Sequence, residues 1–150
     1  MKLIKTYHNT IKLFCKSSNY WVDANILLRF ITNDPLNLAE RSARFLQKAE
    51  QGEITLKVSS IVVAEVVWVL ISFYGYSRQQ VADVLIGLLT SEGIILESSE
   101  QVIAALDSMA TANVDFVDAY LAEVARKENE SVASFDRDFK RLDIRYIEPD

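Results

Sequence analysis

Acidic side chains recur in apolar surroundings at four places along the chain, and these are the residues best suited to chemistry. They are Asp23, Glu65, the pair Asp115 and Asp118, and the pair Asp136 and Asp138. Clustered carboxylates repel one another, so such a set is stable mainly when a cation neutralises it. Oxygen-only ligands favour a hard ion, Mg²⁺ or Mn²⁺, which would activate water and polarise a phosphoryl group. The residue types therefore indicate metal-assisted chemistry on phosphate esters.

Glu65 is the hardest of these acids to explain structurally. It is the only formal charge in residues 58–77, VSSIVVAEVVWVLISFYGYS. An ionised carboxylate in an apolar setting is costly, so we expect Glu65 to be protonated, paired with a cation or bound to a metal. The predicted helix is apolar on every side, which favours a buried core helix. A membrane span is disfavoured, because a central acid costs roughly 2.5 to 3.5 kcal/mol there.

Each remaining acid also has a purely structural interpretation. Asp23 would serve equally well as a helix N-cap, and for Asp136, which precedes a short helix, the cap is the stronger interpretation. Asp115 and Asp118 lie three residues apart in the first turn of a helix, where carboxylates interact favourably with the helix dipole. For that pair taken alone, the structural role is favoured over a functional one. Only the whole set of acids, taken together, favours a functional site over these structural roles.

Composition narrows the chemistry further. The only His is His8 and the only Cys is Cys15, which excludes Ser-His-Asp catalysis, Cys-His catalysis and Cys/His zinc sites beyond residue 20. The net charge is -5, but the first 20 residues hold four Lys and no acid, so 12 basic and 21 acidic residues leave -9 for the rest. Bulk electrostatic capture of nucleic acid is therefore disfavoured. A lone Cys suits a reducing cytoplasm, and no secretory signal pattern is present.

Alternating strand and helix patterns would position the acids. Strands are predicted at residues 19–23, 54–58, 94–96 and 131–135, with an edge strand at 144–147. Helices are predicted at residues 24–32, 36–50, 60–74, from 77 up to Gly93, from 98 or 99 onward, around 117–124 and at 137–141. This order predicts a three-layer α/β/α fold with a central parallel sheet, in one domain at 18–150 that follows a basic extension at 1–17. The first and fourth strands would direct Asp23 and Asp136 into one crevice at the carboxyl edge.

Four motifs, in order, resemble the PIN domain and closely the VapC toxins of bacterial toxin-antitoxin pairs: VDANILLRFITND, SSIVVAEVVWVL, VDFVDAYLAEVA and ASFDRDFKRL. The resemblance runs from about residue 19 to the C-terminus, and the basic lead departs from it. It implies a metal-dependent ribonuclease whose catalytic and metal-binding quartet is Asp23, Glu65, Asp118 and Asp136. Auxiliary roles are implied for Asp115 as a further ligand and for Asp138, Asn25 and Ser134 around the ligands.

The resemblance also implies partners. These are an RNA substrate such as tRNA, a bound Mg²⁺ or Mn²⁺, an antitoxin that blocks the site, and a second copy of the chain in a homodimer. Basic residues that could guide an RNA backbone follow the first acid, although a solvated helix face explains them equally well. They are Arg29, Arg41, Arg44 and Lys48. For the aromatic residues Trp68, Phe73, Tyr74 and Tyr76, core packing is favoured over a dimer or antitoxin groove.

Two other functions stay open from the sequence. One is a metal phosphohydrolase acting on DNA or small phosphate esters, although the absence of a D-x-D-x-T segment after the first strand disfavours an aspartyl-phosphate mechanism. The other is a non-catalytic α/β interaction module, in which the acids are helix caps and Glu65 is buried and protonated or paired.

Overall fold

The computed structural model describes residues 18–150, in which strands and helices alternate. The elements are β1 (Ser18–Trp21), α1 (Ala24–Thr32), α2 (Leu36–Glu50), β2 (Ile54–Val58), α3 (Ser60–Ser72), α4 (Arg78–Leu89), β3 (Ile94–Leu96), α5 (Ser99–Ala112), α6 (Phe116–Glu128), β4 (Val132–Ala133), a 3₁₀ helix (Arg137–Lys140) and β5 (Tyr146–Ile147). The predicted basic extension at residues 1–17, with His8 and Cys15, lies outside this range. Within it, the predicted order of elements is confirmed.

Every strand pairing among residues 18–150 is parallel. The first sheet has the order β1-β2-β3, with Trp21 opposite Lys57 and Val58 opposite Leu96. A second sheet consists of β4 and β5. The three-layer α/β/α arrangement with parallel strands is thus observed, with the strands divided between two sheets. The predicted single crevice required strand pairing to align the ends of β1 and β4. These strands belong to different sheets, so pairing does not align their ends.

Local signals in the sequence explain most helix ends. The side chains of Asp23, Ser59 and Ser77 accept hydrogen bonds from the backbone N–H groups of α1, α3 and α4, as N-caps do. Asn33 and Asn129 end α1 and α6 in the left-handed conformation that Asn tolerates better than most residues. Helix caps therefore fix where these elements begin and end.

Several predicted element boundaries are corrected, including that of the first strand, which ends at Trp21 and not at Asp23. The helix after Ser77 ends at Leu89, before Gly93, where Thr90 forms the C-cap. The strand predicted at 131–135 is reduced to two residues, and the helix predicted at 137–141 is a single 3₁₀ turn. Both short elements follow from the position of Asp136, whose side chain accepts from the backbone N–H of Asp138 and so starts a tight turn directly after the strand.

The core receives apolar side chains from all six α-helices of residues 18–150 and from β2. The contact between α5 and α6 is the most extensive, and α6 presents Ala119, Ala122 and Ala125 as buried residues. Such small side chains permit close approach of two helices. Full burial of a Leu or Met contributes roughly 1.5–3 kcal/mol, and Leu106 and Met109 of α5 are fully buried. This packing fixes α6, which carries Asp118.

The burial predicted for α3 is wrong on one face. The buried residues Val63, Val66, Val67 and Leu70 share one face, whereas Ile61, Glu65 and Trp68 are exposed on the other. A helix in an outer layer buries only the side that meets its neighbours, whatever the composition of its outer side. Glu65 forms no hydrogen bond or ion pair with residues 18–150. Because its side chain is exposed, its charge does not need a partner to offset burial.

Among residues 18–150, no helix has both the length and the apolar character that crossing a membrane requires. The longest apolar candidate, α3, has 13 residues. This agrees with the sequence-based preference against a membrane span for residues 58–77.

Gly93 precedes β3 at a point where the backbone of α2 approaches closely. Its φ is +79°, and a Cβ at this position would lie 2.2 Å from the carbonyl oxygen of Ala49. Gly75 has a similar φ of +71° with no atom within 4 Å of such a Cβ. We expect Gly93→Ala to lower the free energy of unfolding by about 2–5 kcal/mol, and Gly75→Ala by about 1–2 kcal/mol from backbone strain alone. Urea denaturation measures both, and equal losses would contradict the close approach.

Candidate active site

Asp118 lies at the centre of a group of carboxylates. It is half-buried in the first turn of α6. Burial raises the pKa of the Asp118 carboxyl above its ordinary range, and the negative charges of Asp136, Asp115 and Asp138 raise it further. The beginning of α6 and the 3₁₀ turn after β4 therefore bring four acids from two separate motifs into one electrostatic neighbourhood.

Asp136 is held in a defined orientation within this group. Its backbone N–H donates to the hydroxyl oxygen of Ser134 at 2.9 Å, and its Oδ1 accepts from the backbone N–H of Asp138 at 2.8 Å. The predicted cap at Asp136 is thus observed, and Ser134 contacts the backbone of this predicted ligand. Only Oδ1 is used by the cap, so a helix-capping role leaves the second oxygen for another partner.

Two arginines neutralise the outer acids of the group. Arg78 donates to Asp115 Oδ1 at 3.1 Å, and the same guanidinium also binds the carbonyl oxygen of Val114. The Nη1 atom of Arg141 lies 3.5 Å from Asp138 Oδ1. No such cation pairs with Asp118 or Asp136 among residues 18–150. The unbalanced negative charge is therefore concentrated on these two residues.

Asp23 and Glu65, the other two members of the predicted quartet, do not join this group. Asp23 is exposed and its Oδ1 accepts from the backbone N–H of Ile26 at 3.2 Å, so its structural role as the N-cap of α1 is observed. Neither acid contributes to the raised pKa of Asp118. Among residues 18–150, no three acidic, His or Cys side chains converge closely enough to form a metal site. The four-membered ligand set remains a prediction.

The donors around Asp118 nevertheless fit a hard cation. The group consists only of carboxylates, and Mg²⁺ is commonly held by one or two carboxylates together with water and substrate phosphate. Asp118 and Asp136 are carboxylates without a cationic partner among residues 18–150, which is the type of ligand that such an ion prefers. A divalent cation would also offset the repulsion that raises the pKa of Asp118.

An apolar cavity of about 180 Å³ adjoins the acids between α3 and α6. Trp68 and Val117 line it together with Asp115 and Asp118, and the side chains of Trp68 and Val117 are 67% and 63% exposed. The preference for core packing of the aromatic residues is wrong for Trp68 and for Phe73, which is 76% exposed, and right for Tyr74 and Tyr76, which pack partly buried against the core. Apolar surface thus borders the acidic group.

The predicted RNA-binding residues lie on α1 and α2. Arg29 donates to the carbonyl oxygen of Asp34 at 3.1 Å, whereas Arg41, Arg44 and Lys48 are exposed and form no ion pair with residues 18–150. Their spacing of three and four residues places the last three on one face of α2. Their binding to RNA remains a prediction. Asn25 lies in the first turn of α1, two residues after Asp23, and its predicted supporting role is also untested.

Sequence reasoning missed two residues that organise this end of the molecule. Glu97 follows β3 directly, and its carboxylate accepts from the backbone N–H of Ser60 at 3.1 Å, which holds the beginning of α3. The rule that selected Asp23, an acid directly after a strand, also applies to Glu97. Arg78 occupies the first position of α4, where the helix dipole disfavours a cation. That unfavourable placement was a signal that Arg78 has an acidic partner elsewhere.

Comparison with protein families agrees with this architecture. The family model described as the PIN domain matches residues 20–145. The chain therefore belongs to the PIN domain family. PIN domains are generally metal-dependent nucleases that act on nucleic acids, which places this protein in the nuclease class of hydrolases. No curated protein matches the chain.

The raised pKa of Asp118 predicts a pH-dependent stability. The folded state binds the Asp118 proton more tightly than the unfolded state does. The protein therefore loses stability as pH rises through the pKa of Asp118 in the folded state. This loss of stability is absent below about pH 4, where the carboxyl is protonated in both states. In a chelator, we expect Asp118→Asn to raise the melting temperature by a few degrees near neutral pH, with a gain that shrinks towards about pH 4.

The control for this comparison is Asp107→Asn, which changes an exposed acid of α5 outside the group. It should leave the melting temperature nearly unchanged across the same pH range. A gain for Asp118→Asn that does not vary with pH would show that the charge of Asp118 is not its source.

Proposed function

We propose that this protein is a divalent-metal-dependent endoribonuclease of the VapC toxin type, which hydrolyses RNA phosphodiesters. The observation that carries the proposal is that the charges of Asp136, Asp115 and Asp138 act on the half-buried Asp118 in a PIN domain and raise the pKa of its carboxyl. The four ordered motifs that resemble VapC toxins support the choice of this type. The further ligands Asp23 and Glu65 belong to the proposal through that resemblance.

The residues around Asp118 have separate roles in this proposal. Asp118 and Asp136 would hold a Mg²⁺ or Mn²⁺ ion, which would activate water and neutralise charge on the phosphate. Ser134 and the backbone N–H of Asp138 keep Asp136 in place. Arg78 fixes Asp115 and the loop that begins α6. The protein thus contributes an ordered anionic site that is completed by a cation and a substrate phosphate.

RNA is the proposed substrate, with a structured RNA such as tRNA as the specific candidate. The basic face of α2 supports a polyanionic ligand, because three of its cations have no acidic partner within residues 18–150. A protein with a net charge of -5 needs such a local patch to bind nucleic acid. We place this activity in the cytoplasm, which agrees with a chain that has one Cys.

An antitoxin and a second copy of the chain are the proposed protein partners. The cavity between α3 and α6 supports an antitoxin segment that combines an apolar anchor at Trp68 with a Lys or Arg directed at Asp118. Exposed apolar residues on the same two helices and at the C-cap of α3 also support a homodimer, since exposed apolar surface marks interaction sites. They are Ile61, Trp68, Phe73, Val117 and Leu121.

The nuclease proposal predicts that RNA cleavage requires divalent metal. We expect chelation to abolish cleavage, and Asp118→Asn or Asp136→Asn to lower the rate about 100-fold or more, because the metal's transition-state contribution amounts to several kcal/mol. Asp23→Asn and Glu65→Gln should have the same effect if they complete the ligand set. The assay follows labelled RNA, single-stranded DNA and a generic phosphate ester in parallel.

Asp107→Asn is the matched control and should cleave at the wild-type rate. Glu65→Gln should keep its stability without metal, because the exposed Glu65 side chain forms no hydrogen bond or ion pair with residues 18–150. Cleavage that survives both chelator and Asp118→Asn would refute the proposal. Normal cleavage by Glu65→Gln alone would remove Glu65 from the ligand set.

The proposed homodimer predicts unequal effects at the two tryptophans. Trp68 and Trp21 are exposed to similar extents, 67% and 65%, but only Trp68 lies on α3. We expect Trp68→Ser to weaken self-association about 30-fold or more, as loss of an aromatic anchor does, and Trp21→Ser to leave it unchanged. Sedimentation equilibrium measures both. A wild-type monomer, or equal effects of the two substitutions, would contradict this dimer.

A further inference from the structure

A cavity of about 530 Å³ with a basic lining lies between α1 and α2. Its polar lining comes from Asn25, Arg29, Arg41 and Ser42. Ile26, Leu38 and Phe45 form its apolar wall. An apolar wall with a few polar groups is the usual composition of a small-molecule site, and this volume lies in the range of about 300–1,000 Å³ that such sites have.

Several polar groups in this cavity have no protein partner among residues 18–150. The Arg29 Nε is buried without a hydrogen-bond acceptor, although the Nη1 of the same group donates to the carbonyl oxygen of Asp34. A buried donor without an acceptor is costly, so an acceptor from a ligand would stabilise this arrangement. Ser42 is 3% exposed and also forms no hydrogen bond within the described residues.

A second cavity of about 290 Å³ adjoins the first and shares Arg41 and Phe45 with it. Arg44 and Lys48 complete its lining. Phe45 therefore borders both spaces, and its ring contacts Tyr20 edge-on at a centroid distance of 5.6 Å. The result is an aromatic side chain held beside a row of unpaired cations on α2.

We propose that the larger cavity binds one nucleotide of a single-stranded RNA, with its base against Phe45 and its flanking phosphates on Arg41 and Lys48. This inference rests on the proposed ribonuclease function and adds a defined nucleotide site to it. Proteins that bind single strands combine cations along the backbone with aromatic side chains on which bases stack. Both components meet here at Arg41 and Phe45.

The charge of α2 favours RNA over a protein segment as the occupant. Arg41, Arg44 and Lys48 lie at helical spacing on one face of α2 and form no ion pair among residues 18–150, although Glu50 lines another cavity together with Arg44. Repeated phosphates match this spacing of unpaired positive charges. The other surface, at α3 and α6, has the apolar and acidic character that suits a protein partner instead.

Binding of a labelled oligouridylate in EDTA tests the nucleotide site without cleavage. We expect Phe45→Leu, which keeps an apolar side chain but removes the stacking surface, to weaken binding about 5- to 100-fold. Phe45→Tyr should keep the wild-type affinity, because it retains the ring. Arg41→Gln and Lys48→Gln should each reduce the salt dependence of binding by about 0.7 in slope, since each removes one phosphate contact.

Two controls separate this site from general electrostatics and from folding defects. Lys127→Gln removes an exposed cation of α6 and should leave the affinity nearly unchanged. An abasic oligonucleotide of the same length should bind wild-type and Phe45→Leu proteins equally, because it has no base for Phe45. Thermal melting of each variant shows that it is folded.

The possible outcomes test the site and the nuclease function independently. If RNA is cleaved but Phe45→Leu and Arg41→Gln bind as wild type does, the nucleotide site is refuted and the ribonuclease proposal stands. If no RNA is cleaved but the variants lose binding as expected, the site is supported and the ribonuclease proposal fails. Equal losses of RNA affinity in Lys127→Gln and Arg41→Gln would also refute the nucleotide site.

Discussion

Parallel pairing of the strands is the constraint on which the rest of this structure depends. Two parallel strands cannot be joined by a tight turn, so each connection needs a crossover. Within residues 18–150, α-helices supply it between β1, β2 and β3, and a 3₁₀ helix lies between β4 and β5. Parallel pairing also collects the carboxyl ends of β1, β2 and β3 at one edge. Asp23, Ser59 and Glu97 follow those ends, and all three accept hydrogen bonds from the beginnings of helices. This edge is therefore built from helix N-termini and acidic or hydroxyl caps.

The acidic group around Asp118 has a different origin. It forms because the first turn of α6 meets the 3₁₀ turn that follows β4, and like charges at such a meeting oppose folding. Arg78 and Arg141 reduce that cost by pairing with the outer acids Asp115 and Asp138. Asp118 and Asp136 have no such cationic partner among residues 18–150. The ion pairs thus leave these two residues as the proposed ligands of a cation.

Two surfaces of opposite character lie on α2 and on the pair α3 and α6. The α2 face presents cations without acidic partners, beside cavities that an aromatic ring borders. The α3 and α6 face presents exposed apolar side chains beside the acids of the site. In a chain with a net charge of -5, this segregation separates a surface suited to a polyanion from one suited to a protein. The two surfaces therefore contribute different residues to the two proposed classes of partner, which compete only at Asp118.

The sequence by itself determined the order of elements, the parallel class and most helix ends, because caps, glycines and hydrophobic periodicity act over a few residues. It also marked Asp118 and Asp136 as acids of interest. Only the tertiary structure decided that α3 turns Glu65 and Trp68 outward, that β4 leaves the main sheet, and that Arg78 reaches the start of α6. Those outcomes depend on which face of each element meets its neighbours, and contacts between residues far apart in the chain leave no periodic signal in the sequence.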